Sequence, residues 1–298
     1  MALTSRIRAS INGCLRHWNL RLDTLTAENL EHARLASLDA KDHFTQPVFT
    51  LPEAFKAMDV NPLLEELQRY TERFNDFANP AENDVGFTFA NDYFPSPDAE
   101  VLYGLVRKYQ PKTFIEVGSG NSTKIVRQAI IDGGLTTQLV CIDPAPRLEV
   151  AQLADRFLPD AVEALSEPDL FRSLRPGDIL FIDSSHEIKT GNDVVFLYLK
   201  VIPELPPGVL VHCHDIFLPY DYPRKWVIEN RWLWNEQYLV QLMLTVTNSF
   251  EVLWAGHHLQ RTLADFQQFF PRAKDRLASS LWLRKTNEGN APFPNGVR

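Results

Sequence analysis

Three groups of residues in this chain have the types and spacing that chemistry needs. The first is Glu116-Val-Gly-Ser-Gly-Asn-Ser-Thr123, where Gly118 and Gly120 stand two apart among small polar side chains. Glycines so placed reach left-handed backbone angles and let a ligand approach the main chain closely. The second is Asp143 in Cys141-Ile-Asp-Pro144, a carboxylate able to accept bonds from both hydroxyls of a ribose. The third combines Asp183-Ser-Ser-His186 with His212-Cys-His-Asp215. An imidazole, with an unperturbed pKa of about 6.5, can take a proton near neutral pH. Two carboxylates and an imidazole can also hold a divalent cation.

The elements around these residues place each of them at a strand end. Apolar runs predict strands at Thr113–Val117, Gln138–Ile142, Asp178–Ile182, Gly208–Val211, Phe250–Trp254 and Leu281–Leu283. Helical spacing separates them. Ile125, Val126, Ala129 and Ile130 form one face, and Leu148, Ala151, Leu153 and Ala154 a second. Val194, Leu197, Tyr198, Val201, Ile202 and Leu205 form a third, and Asn235 to Val246 a fourth. Further upstream, helices are expected at Thr26–Leu38, Leu63–Phe77 and Asp98–Tyr109. Alternating strands and helices, with nearly unbroken apolar strands, predict an α/β fold whose parallel sheet is covered on both faces. Ligands of such sheets bind beyond the carboxyl ends of the strands. Asp183 and Asp215 end two neighbouring strands, so their carboxylates can converge.

The glycine loop admits three readings. A P-loop requires G-x-x-x-x-G-K-[ST], which the chain lacks. A dinucleotide fingerprint requires a third glycine, where Thr123 stands. The third reading is a nucleoside-binding turn followed by a ribose-binding acid. The loop with Cys141-Ile-Asp-Pro144 resembles the first two motifs of class I S-adenosylmethionine-dependent methyltransferases. Phe181-Ile-Asp-Ser-Ser-His186 followed by Val211-His-Cys-His-Asp215 is similar to the branch with macrolide sugar O-methyltransferases and cephalosporin-hydroxylase-like proteins. The resemblance runs from about Asp98 to Trp254.

It implies a Rossmann-like, doubly wound, mostly parallel seven-stranded sheet, with residues 81–298 as the S-adenosylmethionine-binding domain and residues 1–80 as an N-terminal helical extension. The cofactor would lie against Glu116, Gly118, Ser119, Gly120, Asn121, Ser122, Asp143 and Asp183. The aspartate matching Asp183 and an acidic pair matching His214-Asp215 hold Mg²⁺ in metal-dependent members of the branch. The histidine matching His186 is their base. This chain departs in placing His214 where an acid is usual, so a divalent metal, Mg²⁺ or another, is a candidate second cofactor. His186 and Asp183 are the expected catalytic pair.

Between Ile216 and Trp234 lies a long aromatic stretch in which Tyr220, Tyr222 and Arg224 are candidate substrate contacts. Packing against the N-terminal helices is the competing reading for each. The chain is acidic, with a formal net charge of −8, which disfavours a nucleic-acid partner. Its three cysteines form no C-x-x-C pair, which argues against a disulfide framework or a structural zinc site and for a cytoplasmic setting. Arg6, Arg8, Arg16 and Arg21 precede the first acid, so a membrane-surface helix is an option for the N-terminus, but no apolar run is long enough to span a bilayer. A small-molecule acceptor is expected, with a homo-oligomer as an option. The expected activity is methyl transfer from S-adenosylmethionine to a hydroxyl of a sugar or secondary metabolite. A nicotinamide-dependent oxidoreductase and a non-catalytic binding protein on the same fold remain the alternatives.

Overall fold

The computed structural model describes residues 2–79, 81, 83–146, 150–167 and 169–287. By contacts the chain divides into two compact units. One comprises Met1–Gln46 with Pro223–Trp232, the other Pro47–Tyr222 with Leu233–Arg298. Within the larger unit, Leu63, Leu64, Leu67, Phe74 and Phe77 are buried in the core against the sheet.

The larger unit is built on seven strands: β1 (Thr113–Val117), β2 (Gln138–Ile142), β3 (Arg156–Leu158), β4 (Ile179–Ile182), β5 (Leu210–Cys213), β6 (Phe250–Ala255) and β7 (Leu281–Lys285). Their order is β3-β2-β1-β4-β5-β7-β6. β1 to β5 pair in parallel with one another, and β7 runs antiparallel between β5 and β6. This is the mostly parallel, doubly wound sheet expected from the sequence. The order reverses between β1 and β4, and at such a point the loops diverge and open a crevice.

Strand residues alternate between two apolar layers. Phe114, Leu139, Cys141, Phe181 and Leu210 face one layer, with the helices Asp98–Tyr109 and Asn121–Gly133 over them. Ile115, Val140, Leu180, Ile182, Val211 and Cys213 face the other, with Val194, Leu197, Val201, Val240 and Leu244. The buried strands explain why they read as continuous apolar runs.

Three elements differ from expectation. β3 carries only three residues, all partly exposed, and has no apolar periodicity to announce it. The helix expected around Leu148 to Ala154 is, at Ala151–Leu153, a single 3₁₀ turn, and residues 147–149 lie outside the described residues. The helix expected over Leu63–Phe77 is two, Asn61–Gln68 and Thr71–Asp76.

In the smaller unit, the helices Ala2–Leu15 and Thr26–Asp39 accompany a π-helical turn, Lys225–Glu229. None of this unit's described residues is buried. Arg224 pairs with Asp39 and Arg231 with Glu28, which ties the 223–232 segment to the second helix. No helix among the described residues is long and apolar enough to cross a membrane.

Candidate active site

The loop after β1 is organised around Glu116, which is fully buried. Ser122 Oγ and Thr123 Oγ1 each donate to its carboxylate at 2.6 Å, and Cys141 Sγ donates from β2 at 3.3 Å. Burial pushes its pKa up to about 7, against the pull of these donors. Thr123 Oγ1 also accepts from the Gly120 N–H at 3.0 Å, which satisfies a first-turn donor of the helix Asn121–Gly133. Glu116 and Ser122 thus spend their polar atoms on each other and shape the turn from inside.

The two glycines differ. Gly118 has φ +82°, and a Cβ there would lie 1.9 Å from the Asp183 carbonyl oxygen. Its lack of a side chain lets the turns after β1 and β4 meet. Gly120 has extended backbone, and a Cβ there would enter open space. Among the described residues, no atom lies where a side chain at 120 would begin. Beside it, Asp143 Oδ2 accepts from the Ser119 N–H at 2.8 Å and the Ser119 hydroxyl at 3.1 Å. Its Oδ1 accepts from the Ala145 N–H. Oδ1, with one bond made, retains capacity for another donor. Asn121 opens the helix and is partly exposed.

Across the β1/β4 crevice stands the carboxylate–imidazole cluster. Asp183 follows β4, and Asp215 follows β5 after one intervening residue. His186 Nε2 lies 3.2 Å from Asp183 Oδ1 and 3.7 Å from Asp215 Oδ2. One ligand atom from each of these three residues lies within 4.8 Å of the others, a spacing that could hold a metal ion. His186 and Asp215 both have positive φ, 59° and 56°. Non-glycine residues in this conformation cost about 1–2 kcal/mol each and gather at functional sites.

His186 is 5% exposed. Burial would lower its pKa, but Asp183, Glu236 and Asp215 outweigh it and hold the imidazole well above its ordinary value. Burial would raise Asp183, but His214 and His186 outweigh it and hold the carboxyl below its ordinary range. His214 lies further back. Its Nε2 is 3.8 Å from Asp215 Oδ1 and 3.4 Å from Ser279 Oγ, and Ser279 Oγ in turn donates to the buried Asp98. The side chains that converge with both aspartates are thus Asp183, Asp215 and His186, with His214 behind Asp215.

In the sequence Glu236 falls in the run Trp234-Asn-Glu-Gln-Tyr238, which suits a helix cap and first turn, with acceptor contact as a second option and nothing to tie it to His186. Its Oε2 lies 2.8 Å from His186 Nδ1, and its Oε1 accepts from the Tyr198 hydroxyl at 2.5 Å. Trp234 packs on the imidazole with 4.3 Å between ring centroids. No local signal links residues fifty positions apart.

Of the candidate substrate contacts, Tyr222 is 2% exposed and its hydroxyl accepts from the Gln237 N–H at 3.0 Å. Tyr220 packs near His257, with the Arg261 guanidinium over its ring. Arg224 falls in the smaller unit, engaged by Asp39 and Glu229.

Residues 115–216 match the family model described as a methyltransferase domain. No curated protein matches the chain. Among solved structures, the chain is similar to a putative O-methyltransferase from Klebsiella pneumoniae at 18% identity, covering 75% of this chain and 90% of that one, with a TM-score of 0.39. It is similar to the O-methyltransferase from Bacillus cereus in complex with SAH at 14% identity, covering 76% and 91%, with a TM-score of 0.40. The O-methyltransferase TomG from Streptomyces achromogenes, involved in tomaymycin synthesis and in complex with SAM, shares 15% identity over 86% and 99%, with a TM-score of 0.39. The stretch that matches the methyltransferase-domain model holds the glycine loop, Asp143 and the cluster of Asp183, His186 and Asp215.

Proposed function

We propose that the chain transfers the methyl group of S-adenosylmethionine to a hydroxyl of a small acceptor, a sugar or secondary metabolite. The observation that carries this reading is the meeting of two regions at one sheet edge. A glycine turn with free space at Gly120 and a carboxylate at Asp143 faces a buried carboxylate–imidazole cluster across the β1/β4 crevice. In the reaction the S–CH₃ bond breaks, an O–CH₃ bond forms and the hydroxyl proton departs. The sulfonium is already activated, so holding the acceptor in line supplies much of the rate. Asp143 binds the ribose hydroxyls, and the backbone at Ser119–Asn121 borders the methionine portion. His186 in its neutral form, with its hydrogen on Nδ1 toward Glu236, takes the acceptor proton at Nε2 as the O–CH₃ bond forms.

A second reading of the same cluster is favoured by the convergence of Asp183, His186 and Asp215. Two hard oxygens and one imidazole nitrogen within 4.8 Å suit Mg²⁺, Mn²⁺, Fe²⁺ or Zn²⁺. A cation bound there lowers the pKa of an acceptor hydroxyl. Asp183 and Asp215 would then hold it from the ends of β4 and β5, with His186 Nε2 as the third ligand.

Calorimetric titration with S-adenosylmethionine and with NAD(H) is the first test, followed by a screen of hydroxylated acceptors with methyl-labelled cofactor. Binding of S-adenosylmethionine and label transfer to oxygen are expected. Binding of NAD(H) without S-adenosylmethionine would overturn the reading in favour of an oxidoreductase. Cofactor binding with no transfer to any acceptor would point to a binding protein.

A further inference from the structure

We propose that Glu236, itself held by Tyr198, is the positioning residue that fixes the His186 ring with Nε2 toward Asp183 and Asp215. This rests on His186 being the group that acts on the acceptor. Glu236 is 1% exposed and Tyr198 is 4% exposed. A carboxylate buried this deeply costs free energy unless its oxygens are engaged. Here one oxygen is taken by the imidazole at 2.8 Å and the other by the phenol at 2.5 Å. An ionised carboxylate only accepts, so His186 Nδ1 must carry a hydrogen toward it. Nε2 is then the ring nitrogen presented to the crevice, whether it binds a cation or receives a proton.

The main chain repeats the grip. The N–H groups of Asn235 and Glu236 both donate to the His186 carbonyl, at 2.9 and 3.2 Å. Asn235 Oδ1 accepts from the Ile188 N–H. The start of the helix Glu236–Val246 therefore holds His186 by backbone and side chain together, in a conformation with φ +59° that the residue would otherwise avoid. Trp234 closes against the ring face. Without Glu236 the ring could turn over and exchange its two nitrogens.

The hydrogen bond is read by NMR on protein labelled with ¹⁵N-histidine. A downfield imidazole N–H resonance is expected, assigned to His186 by its loss in His186→Gln. It should move upfield in Tyr198→Phe and further in Glu236→Gln, and vanish in Glu236→Ala. Mn²⁺ titration followed by electron paramagnetic resonance reads the consequence. Glu236→Ala should bind Mn²⁺ about 10- to 100-fold more weakly than the wild type. Glu236→Gln, which keeps the volume and an acceptor oxygen, should recover part of that loss. S-adenosylmethionine affinity should stay at the wild-type value in both, which separates positioning from a collapsed fold. An N–H resonance unmoved in Glu236→Gln would overturn the proposal, even where Mn²⁺ binds. Shifted resonances in a protein that binds no Mn²⁺ would support it and remove only the cation reading.

Discussion

In the glycine loop, Glu116 draws two of its partners from six and seven residues ahead and the third from the adjoining strand. In the cluster across the crevice, His186 draws Glu236 from fifty residues further along the chain. The loop is a local construction, and a short string of residue types is enough to specify it. The cluster is an assembly, and its geometry exists only once β4, β5 and the helix Glu236–Val246 have packed. The two also differ in electrostatic design. Around Glu116, neutral donors surround a carboxyl that burial inclines to keep its proton. Around His186, three carboxylates surround an imidazole that is thereby inclined to stay charged. One region shapes a binding surface, and the other concentrates charge where an acceptor would react.

The sharpest way to part the two regions is His186→Ala. Methyl transfer should fall by about 10²- to 10⁴-fold, the range for loss of a positioned acid–base group. Calorimetry should find S-adenosylmethionine affinity unchanged. A parallel loss of cofactor binding would show the regions to be one functional body.

Gly118→Ala should damage both at once. The added methyl group would fall on the Asp183 carbonyl, in a backbone region alanine resists. A destabilisation of about 3 kcal/mol or more is expected in urea unfolding. Wild-type stability in this variant would mean that the two turns are not tied together.

A pH series tests the loop's electrostatics alone. Glu116 titrates at about 7 in the fold against an ordinary value of 4.5. The folded form holds its proton to higher pH than the unfolded chain does. The associated stability is thus fully present below about 4.5 and is lost as pH rises through about 7. Its size is on the order of 3 kcal/mol. Glu116→Gln, with no such proton to lose, should flatten the decline measured by unfolding between about pH 5 and pH 8. An unchanged slope would place the titration elsewhere.

Gly120→Ala carries the smallest effect and the cleanest contrast with Gly118→Ala. Stability should stay within about 0.5 kcal/mol of wild type, because the new methyl group meets open space. S-adenosylmethionine should bind about tenfold more weakly, a change of about 1.4 kcal/mol. Undiminished affinity would move the cofactor away from this turn.

The same contrast explains which parts of the molecule were legible beforehand. The apolar runs at Phe114–Val117, Leu139–Ile142 and Ile179–Ile182 are buried on both faces of the sheet, so burial itself wrote them into the sequence. β3 is three residues long and only partly buried, with Phe157 and Leu158 packed at the margins of the two cores, and so short a strand left no such trace. The Gly118/Gly120 turn and the placement of Asp143, Asp183 and Asp215 just beyond strands were legible because strand ends and glycine turns have local signatures. Glu236 and Tyr198 were not, since a first-turn acid and a tyrosine on an apolar helix face look ordinary until the fold joins them. Arg224 stands out in the sequence by its charge, and the structure pairs it with Asp39 and Glu229 inside the smaller unit.

The contact between Gly118 and the Asp183 carbonyl has a consequence for how such an enzyme can change its task. Two lengths of main chain set the spacing between the donor's cradle and the acidic residue facing it, and no side chain can be lengthened or trimmed to tune it. If the proposed reaction holds, a change made for a bulkier acceptor would have to leave that pair of turns alone and vary the walls around them. The glycine turn and the strand-end aspartate would then serve as a fixed gauge from one acceptor to the next.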